Sequence, residues 1–206
     1  MDPAEGLTRL LARSVHDQRV LDAVAAVPRH CFVPRAERAR AYENTALPID
    51  CAQTISQPVV VARMLELLEL APSDRVLDVG TGSGYHAALL SLLAAEVWTV
   101  ERHSRLSAQA RVTLAALGYA NVICVVADGW EGLPEQAPFD AINVAAATGE
   151  HMPRALEAQL APGGRLVAPV GGEHQFLTRV RRVPGGLREE RLDPVRFVPL
   201  VPGPEP

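Results

Sequence analysis

The sequence has no lysine, little cysteine and no long hydrophobic run, and the last two shortages each argue against a class of protein. All 20 basic residues are arginines, which we attribute to coding bias rather than to chemistry. The three cysteines, Cys31, Cys51 and Cys124, are odd in number and stand in no Cys-x-x-Cys or Cys/His ligand spacing. A disulfide framework or a zinc site is therefore not expected, and no metal ligands are predicted.

Membrane and nucleic-acid partners are not expected either. The longest apolar run, Ala87 to Ala95, is interrupted by Ser91 and is too short for a bilayer-spanning helix of about 20 residues. Met1 to Gly6 is polar and acidic, and no apolar core of a signal peptide follows it. The net charge of -4 offers no general basic surface for nucleic acid. We therefore expect a soluble, cytoplasmic protein.

What is present is typical of a globular chain. Its 206 residues, 48% hydrophobic and 21% charged, suit one domain with a sizeable core. Leu7 to Val27 carries apolar residues at helical spacing, and Arg35 to Tyr42 is a charged helical patch. We expect a single domain over 1–206, with residues 1–52 as a helical N-terminal cap and 53–206 as the α/β core.

Strand-like and helix-like segments alternate through the rest of the chain. An apolar helix is predicted over Val59 to Leu70, with Pro58 in its first turn. Further strands are predicted at Glu96 to Glu101, Asn121 to Ala127, Phe139 to Ala145 and Arg165 to Val170, and further helices at Tyr85 to Ala95, Ser104 to Leu117 and Met152 to Leu160, with Gly163 and Gly164 as a turn. This alternation predicts a doubly wound, mostly parallel sheet. Phe176 to Val183 and Leu187 to Leu192 flank Pro-Gly-Gly, so an antiparallel hairpin should finish the sheet.

The strongest local signal is Arg75 to Tyr85, RVLDVGTGSGY, where an apolar strand runs into three alternating glycines and then a helix. Glycines permit a turn that side chains would block and let a ligand lie against the main chain. A dinucleotide fingerprint G-x-G-x-x-G would need glycine at Tyr85. The pattern is instead D-x-G-x-G-x-G from Asp78, which looks like motif I of the S-adenosylmethionine methyltransferases. A dinucleotide site and a purely structural turn are the alternatives.

Two carboxylates end the next strands. Glu101 lies about 20 residues after the first glycine, where a carboxylate can accept hydrogen bonds from both ribose hydroxyls. Asp128 precedes Gly129 after the following strand, a position suited to an adenine edge. Each alone is equally consistent with a helix-start or turn carboxylate. Their order after the glycine turn favours a nucleoside cofactor.

The segment QTISQP, Gln53 to Pro58, is the second distinctive feature. On residue type alone, Ser56 is expected to be an N-cap, because a nucleophilic serine needs a partner base that the sequence does not mark. With VPRHCFVP and AYENTALPI before it, however, QTISQP resembles the protein-L-isoaspartate O-methyltransferase family, which methylates the abnormal carboxylate of isomerised aspartyl residues. The likeness runs from Val27 to Leu200 and includes VLDVGTGSGY, VER, ADG, APFDAI, LAPGGRLVAPVG and PVRFVPL.

The resemblance implies a cofactor, a substrate and a set of site residues. The implied cofactor is S-adenosyl-L-methionine, which is converted to S-adenosyl-L-homocysteine. The implied partners are isoaspartyl-containing proteins and peptides, and the enzyme is expected to be a monomer. Ser56 is the implied catalytic residue. The implied cofactor-binding residues are Thr54, Ile55, Ser56, Asp78, Gly80, Thr81, Gly82, Ser83, Gly84, Glu101, Arg102, Asp128 and Gly129. A carboxylate with a pKa of about 4 needs no general base at neutral pH, so Ser56 is expected to orient it without a covalent intermediate.

Two loops depart from the family pattern. Asp50-Cys51-Ala52 stands before QTIS where glycine or histidine is common, and Thr148-Gly149-Glu150 stands where an alanine run usually ends in proline. Both are predicted to border the substrate pocket, and Cys51 is interpreted as a buried thiol rather than a catalytic one. A carboxyl methyltransferase with a dedicated peptide substrate is therefore an alternative. The other two are a nicotinamide oxidoreductase and a binding module without catalysis.

Overall fold

A computed structural model describes residues 3–203, so the extreme ends of the predicted domain, 1–2 and 204–206, lie outside the described residues. The helices are Pro3–Leu11 (α1), Gln18–Ala26 (α2), Pro58–Leu68 (α3), Tyr85–Ser91 (α4), Ser104–Ala116 (α5) and Arg154–Ala158 (α6), with 3-10 turns at Arg29–Phe32, Arg35–Arg40 and Pro134–Gln136. The strands are Leu47–Pro48 (β1), Thr54–Ile55 (β2), Arg75–Val79 (β3), Glu96–Glu101 (β4), Val122–Val126 (β5), Phe139–Val144 (β6), Leu160–Val170 (β7), Gln175–Val183 (β8) and Gly186–Val195 (β9).

The main sheet has seven strands in the order β5-β4-β3-β6-β7-β8-β9. The first five of these are parallel, whereas β8 and β9 run antiparallel. This confirms the predicted doubly wound sheet with its C-terminal hairpin. The strand order reverses between β3 and β6, and the carboxyl ends of strands at such a switch point form a ligand crevice.

Successive strand residues enter two different apolar clusters because side chains alternate across a sheet. Val76 and Ala141 belong to the cluster that includes α1 to α4. Leu77 and Ile142 belong to the cluster on the other face, which includes Leu156 of α6. Both faces of the parallel strands are thus covered, as their continuous hydrophobic sequences require.

The N-terminal helices lie on other helices rather than on the sheet. α1 and α2 pack against each other and against α3, and α2 also packs against α4. The charged patch is a 3-10 helix at Arg35–Arg40, and β1 pairs antiparallel with β2. Within residues 3–203, no helix combines the length and the apolar character needed to cross a bilayer.

Two predicted helices, Tyr85 to Ala95 and Met152 to Leu160, were too long. α4 ends at Ser91 rather than Ala95, because the Asn121 side-chain amide donates to the carbonyls of Ser91, Ala94 and Ala95 and turns the chain into β4. α6 is only five residues long, since Leu160 instead pairs with Phe139 in the sheet.

The predicted turn at Gly163 and Gly164 is also absent. Both glycines lie inside β7, where the pairing register shifts between Phe139–Leu160 and Ala141–Arg165. Three extra residues are therefore accommodated as a bulge, for which glycine at a positive φ of 78° is well suited.

Candidate active site

Three cavities adjoin one another at the carboxyl ends of the parallel strands. The first, which we call the loop cleft, is lined by residues that include Gly80, Gly82, Glu101, Arg102, Gly129 and the segment 198–201. The second, the serine cavity, is lined by residues that include Ile55, Ser56, Thr81, Ser83 and His86. The third, the outer groove, is lined by residues that include Ser56 and the segment 194–198. Thr54 and Ala145 line all three, so the cavities meet at these two residues.

The glycine loop, residues 80–84, closes by bonding back to the neighbouring strand. The N–H groups of Gly80 and Thr81 donate to the Val100 carbonyl at 2.8 and 3.1 Å. Gly84 is the N-cap of α4 and has a φ of 89°, and a Cβ atom there would lie 3.2 Å from the Ala110 Cβ. Gly84 therefore allows α4 to approach α5 and lines none of the three cavities.

Glu101 holds the same loop from the adjacent strand. Its Oε2 accepts from the Gly82 N–H at 2.8 Å and its Oε1 from the His103 N–H at 3.1 Å. The residue is buried but faces the loop cleft. Because a carboxylate offers about four lone-pair sites, two remain for a ligand in that cleft.

Asp78 is fully buried beneath the loop and lines none of the cavities. Its two oxygens accept from Thr99 Oγ1 and Asn143 Nδ2, each at 2.8 Å, and Thr99 is also hydrogen bonded to Thr81 Oγ1 at 2.7 Å. Burial, with a smaller contribution from Glu101, raises the pKa of Asp78 to about 6. Asp78 thus fixes the relation of β3 to its two neighbours rather than facing a ligand.

The raised pKa of Asp78 predicts a pH-dependent stability difference. The folded state holds this proton more tightly than the unfolded chain, whose value is 3.8, so the resulting stabilisation is complete below pH 3.8 and is lost as pH rises through about 6. In Asp78→Asn the amide oxygen can accept from Asn143 and the amide NH2 can donate to the Thr99 hydroxyl, and no group titrates. The free energy of unfolding of this variant should therefore rise by on the order of 3 kcal/mol relative to that of the native chain as pH increases across that interval. Urea unfolding of both proteins from pH 4 to 8 measures the difference, and parallel curves would contradict the assignment.

Asp128 and Arg102 both hold the C-terminal segment. Asp128 accepts from the Trp130 N–H at 2.8 Å and from the Gly203 N–H at 2.7 Å, and Arg102 Nε donates to the Gly203 carbonyl at 3.1 Å. Arg102 lines the loop cleft and Asp128 does not. Next to it, Gly129 leaves no room for a side chain, since a Cβ atom would lie 2.7 Å from Val79 Cγ1.

Ser56 is half-buried and is not the N-cap of α3. That position belongs to Gln57, and the Asn44 side chain supplies the missing acceptor by taking the Val59 N–H at 3.0 Å. The expectation that Ser56 caps the helix was wrong because a distant residue performs this role. Within the described part of the chain, the Ser56 hydroxyl makes no hydrogen bond, while its carbonyl accepts from Arg29 Nη2 at 2.8 Å. The hydroxyl is therefore free to meet a ligand.

The histidine that lines the same cavity as Ser56 is unsuited to act as a base in a triad. His86 lines the serine cavity, and burial lowers its pKa to about 4, with Arg29 adding to the effect. Its Nδ1 lies 3.4 Å from Asn143 Nδ2 rather than beside the serine. Among residues 3–203, no cluster of three His, Cys, Asp or Glu side chains is placed to hold a metal.

The two departing loops flank the cavities without lining them. Cys51 and Ala52 both adopt left-handed backbone, with φ values of 55° and 54°. Asp50 anchors this loop to α5 by accepting from Arg105 at 2.9 Å and Gln109 at 2.8 Å. Residues 148–150 pack towards β7 instead, where the Thr148 N–H donates to the Pro169 carbonyl. Their neighbours Gln53 and Ala145 line the loop cleft, and Ala145 also lines the outer groove, so the prediction that the two loops border the substrate pocket stays a prediction.

The left-handed loop predicts a gain in stability from glycine. The left-handed conformation costs a non-glycine residue about 1–2 kcal/mol of folding free energy, which glycine avoids. Glycine also has more conformational freedom in the unfolded chain, and this offsets part of the gain. We expect Cys51→Gly and Ala52→Gly each to raise the free energy of unfolding by about 0.5–1 kcal/mol. The matched control is Ala108→Gly on the exposed face of α5, which should lose about 1 kcal/mol. Chemical denaturation distinguishes these signs, and a loss in the loop variants would refute the strain.

Sequence reasoning missed several lining residues. Gln53, His103, Ala146 and the segment 198–201 all line the loop cleft. Gln53 begins the QTISQP segment but was not among the implied site residues. No local pattern marks the C-terminal segment, because it reaches the cleft through the tertiary fold. Only the resemblance of PVRFVPL to the family pattern pointed towards it.

Comparisons with known proteins agree with this geometry. The family model of protein-L-isoaspartate(D-aspartate) O-methyltransferase matches residues 6–205. Protein-L-isoaspartate O-methyltransferase from Roseiflexus castenholzii is 56% identical over 195 residues, covering 94% of this chain and 89% of the relative. The same enzyme from Koribacter versatilis is 53% identical, covering 94% and 87%.

Solved structures give the same result. A protein-L-isoaspartate O-methyltransferase superposes with a TM-score of 0.86 at 28% identity, covering 95% of this chain, which spans 65% of that one. A Plasmodium falciparum structure, described as such a methyltransferase in complex with S-adenosyl-L-homocysteine, gives 0.83 at 25% identity, covering 96% and 98%. By its sequence along nearly its whole length and by its fold, the chain belongs to the protein-L-isoaspartate(D-aspartate) O-methyltransferase family.

Proposed function

We propose that this chain transfers a methyl group from S-adenosylmethionine to the free carboxylate of L-isoaspartyl residues in damaged proteins and peptides. The observation that carries the proposal is the meeting of Ser56 and the glycine loop in one small cavity. Family membership supplies the reaction class, and it favours a methyltransferase over a nicotinamide oxidoreductase. The backbone amide nitrogen of the following residue then attacks the methyl ester and releases methanol, and the resulting succinimide hydrolyses partly to normal aspartate, which begins repair.

The loop cleft fits the proposed cofactor. Gly80 and Gly82 expose backbone without side chains, Gly129 has no space for a Cβ atom, and Glu101 retains acceptor capacity for ribose hydroxyls. We assign Thr54, Ile55, Thr81, Ser83 and Arg102 to the cofactor site as lining residues. Asp78, Gly84 and Asp128 are assigned supporting roles, because they shape the loop and hold the C-terminal segment.

The residues around Ser56 suit a reaction without a general base. When bound, the cofactor supplies an electrophilic methyl group on a positively charged sulfur. The substrate carboxylate is already ionised at neutral pH, so the protein needs to orient it and exclude water. The unpaired Ser56 hydroxyl can donate one hydrogen bond to that carboxylate and aim its other oxygen towards the loop. Neutral His86, which lines the same cavity, adds no charge that would compete for the anion.

The outer groove is the proposed entry for the peptide. It opens beside Ser56 and is bordered by the extended segment 194–198 and by Gln57 and Val60 of the α3 region. The departing loops do not line it, which favours a general isoaspartyl substrate over a dedicated peptide. We also propose that residues 1–52 and 53–206 act as one domain and that the chain is a monomer. Their shared apolar cluster supports the single domain.

Transfer of radiolabelled methyl from S-adenosylmethionine to a matched pair of peptides tests the proposal. One peptide carries L-isoaspartate and the other carries aspartate at the same position. We expect base-labile label on the isoaspartyl peptide alone. Label on neither peptide, with S-adenosylhomocysteine still bound, would reject isoaspartyl repair and support the dedicated-peptide alternative.

A further inference from the structure

Arg29 is an isolated buried cation in the N-terminal region. Its side chain has no exposed surface, and no carboxylate of the described residues forms an ion pair with it. Fully buried arginines are rare unless they are paired, because removing the charge from water is costly. Such a group is retained where its hydrogen bonds hold something in place.

The guanidinium of Arg29 contacts three separate segments. Nε donates to the Ala41 carbonyl at 2.9 Å, and Nη2 donates to the Ser56 carbonyl at 2.8 Å. The plane lies over the ring of Tyr85, with Cζ 4.7 Å from the ring centroid. Tyr85 is the first residue of α4 and directly follows the glycine loop. One side chain therefore links the segment that carries Ser56 to the helix that carries the loop.

We propose that Arg29 is a positioning residue for methyl transfer, one that sets where the Ser56 hydroxyl stands relative to the glycine loop. The inference rests on the proposed function of Ser56. The Ser56 hydroxyl has no hydrogen bond of its own within residues 3–203. Its position therefore depends on the Ser56 backbone, whose carbonyl accepts from Arg29. A small displacement of an orienting group is enough to reduce turnover by about 100-fold.

Lysine cannot reproduce this arrangement. The planar fork of arginine donates in fixed directions while stacking on an aromatic face, whereas an ammonium is a point charge on a flexible stem. Arg29→Lys therefore keeps the charge and loses the geometry, and Arg29→Met loses both. If the contacts of Arg29 were purely structural, kcat would fall only in the variants that lose folding stability, and in proportion to that loss.

The test compares kcat with cofactor affinity in these variants and in a control. We expect kcat for an isoaspartyl peptide to fall about 10-fold in Arg29→Lys and about 100-fold in Arg29→Met, while the Kd of S-adenosylhomocysteine changes less than about 3-fold. The control is Val24→Ala, which removes buried volume from α2 and takes away neither hydrogen-bonding partner of Arg29. At a temperature where all variants are folded, its kcat should match that of the native chain. Equal losses of kcat in Arg29→Lys and Val24→Ala would overturn the inference.

A double-mutant cycle provides a readout that does not depend on how Arg29→Met folds. If Arg29 acts through Ser56, Arg29→Lys should change kcat less than 2-fold in a Ser56→Ala background. A full 10-fold loss in that background would overturn the inference and leave the proposed function intact. Absence of methyl transfer by the native chain with S-adenosylhomocysteine bound would instead reject the proposed function, and the inference with it.

Discussion

Replacing Ser56 with alanine should lower kcat for an isoaspartyl peptide by about 100-fold. The hydroxyl is the only group removed, and within the described residues it supports no other hydrogen bond. Under the proposed function, the lost interaction is the hydrogen bond that orients the substrate carboxylate. The Kd of S-adenosylhomocysteine should stay within about 3-fold of the native value, because the glycine loop and Glu101 are unchanged. Initial rates and calorimetric titration measure the two quantities.

Ser73→Ala is the matched control for this variant. Ser73 lies in an exposed turn before β3 and lines none of the three cavities. Its loss should leave both kcat and cofactor affinity unchanged. A Ser56→Ala protein with native turnover would remove the orienting role, and an equal loss of cofactor affinity would show that Ser56 acts on the cofactor instead.

Replacing Arg165 with methionine should reduce the free energy of unfolding by about 3–5 kcal/mol. Arg165 and Asp74 form an ion pair at 2.7 Å, with side chains only 11% and 9% exposed. The same guanidinium donates to the carbonyls of Leu68 and Glu69, where α3 ends, and to the Asp140 carbonyl. The variant leaves a buried carboxylate without its cation and the end of α3 without its donors. Urea unfolding at pH 7 measures the loss.

An exposed ion pair offers the comparison. Arg40 bonds to Glu37 and Glu43 at the surface, and Arg40→Met should cost less than about 1 kcal/mol. Adding Asp74→Asn to the Arg165 variant should recover part of the loss, because the unpaired charge is removed. Similar costs for Arg165→Met and Arg40→Met would show that the buried pair is not a stabilising centre of the fold.

The parallel core was predictable because its signals are local. The apolar segment before Gly80 and the helix from Ser104 follow from side-chain periodicity, and the hairpin follows from Pro184-Gly185-Gly186. The bulge in β7 was not predictable, since Gly163 and Gly164 are equally typical of a turn. Only pairing with β6 decides between the two, and pairing depends on residues distant in the chain.

The site was predictable where backbone conformation dictates residue type. Gly80 and Gly82 sit at positive φ, as the motif required. Asp128 illustrates the limit, because its position after a strand predicted an adenine contact but gave no sign that its carboxylate also accepts from the Gly203 N–H. The link from Arg29 to Ser56 spans 27 residues and depends on how the N-terminal helices dock on α3 and α4. No periodicity encodes such a contact.

Conversion of an isoaspartyl peptide to its aspartyl isomer is the most direct test of the proposal that this chain begins the repair of isoaspartyl residues. The peptide is incubated with the chain and S-adenosylmethionine, and the isomers are separated by chromatography over repeated methylation cycles. The account predicts that the isoaspartyl peptide declines while the aspartyl isomer accumulates, and that both changes require the cofactor and are about 100-fold slower with Ser56→Ala. An isoaspartyl peptide that persists unchanged, with S-adenosylhomocysteine bound normally, would contradict it.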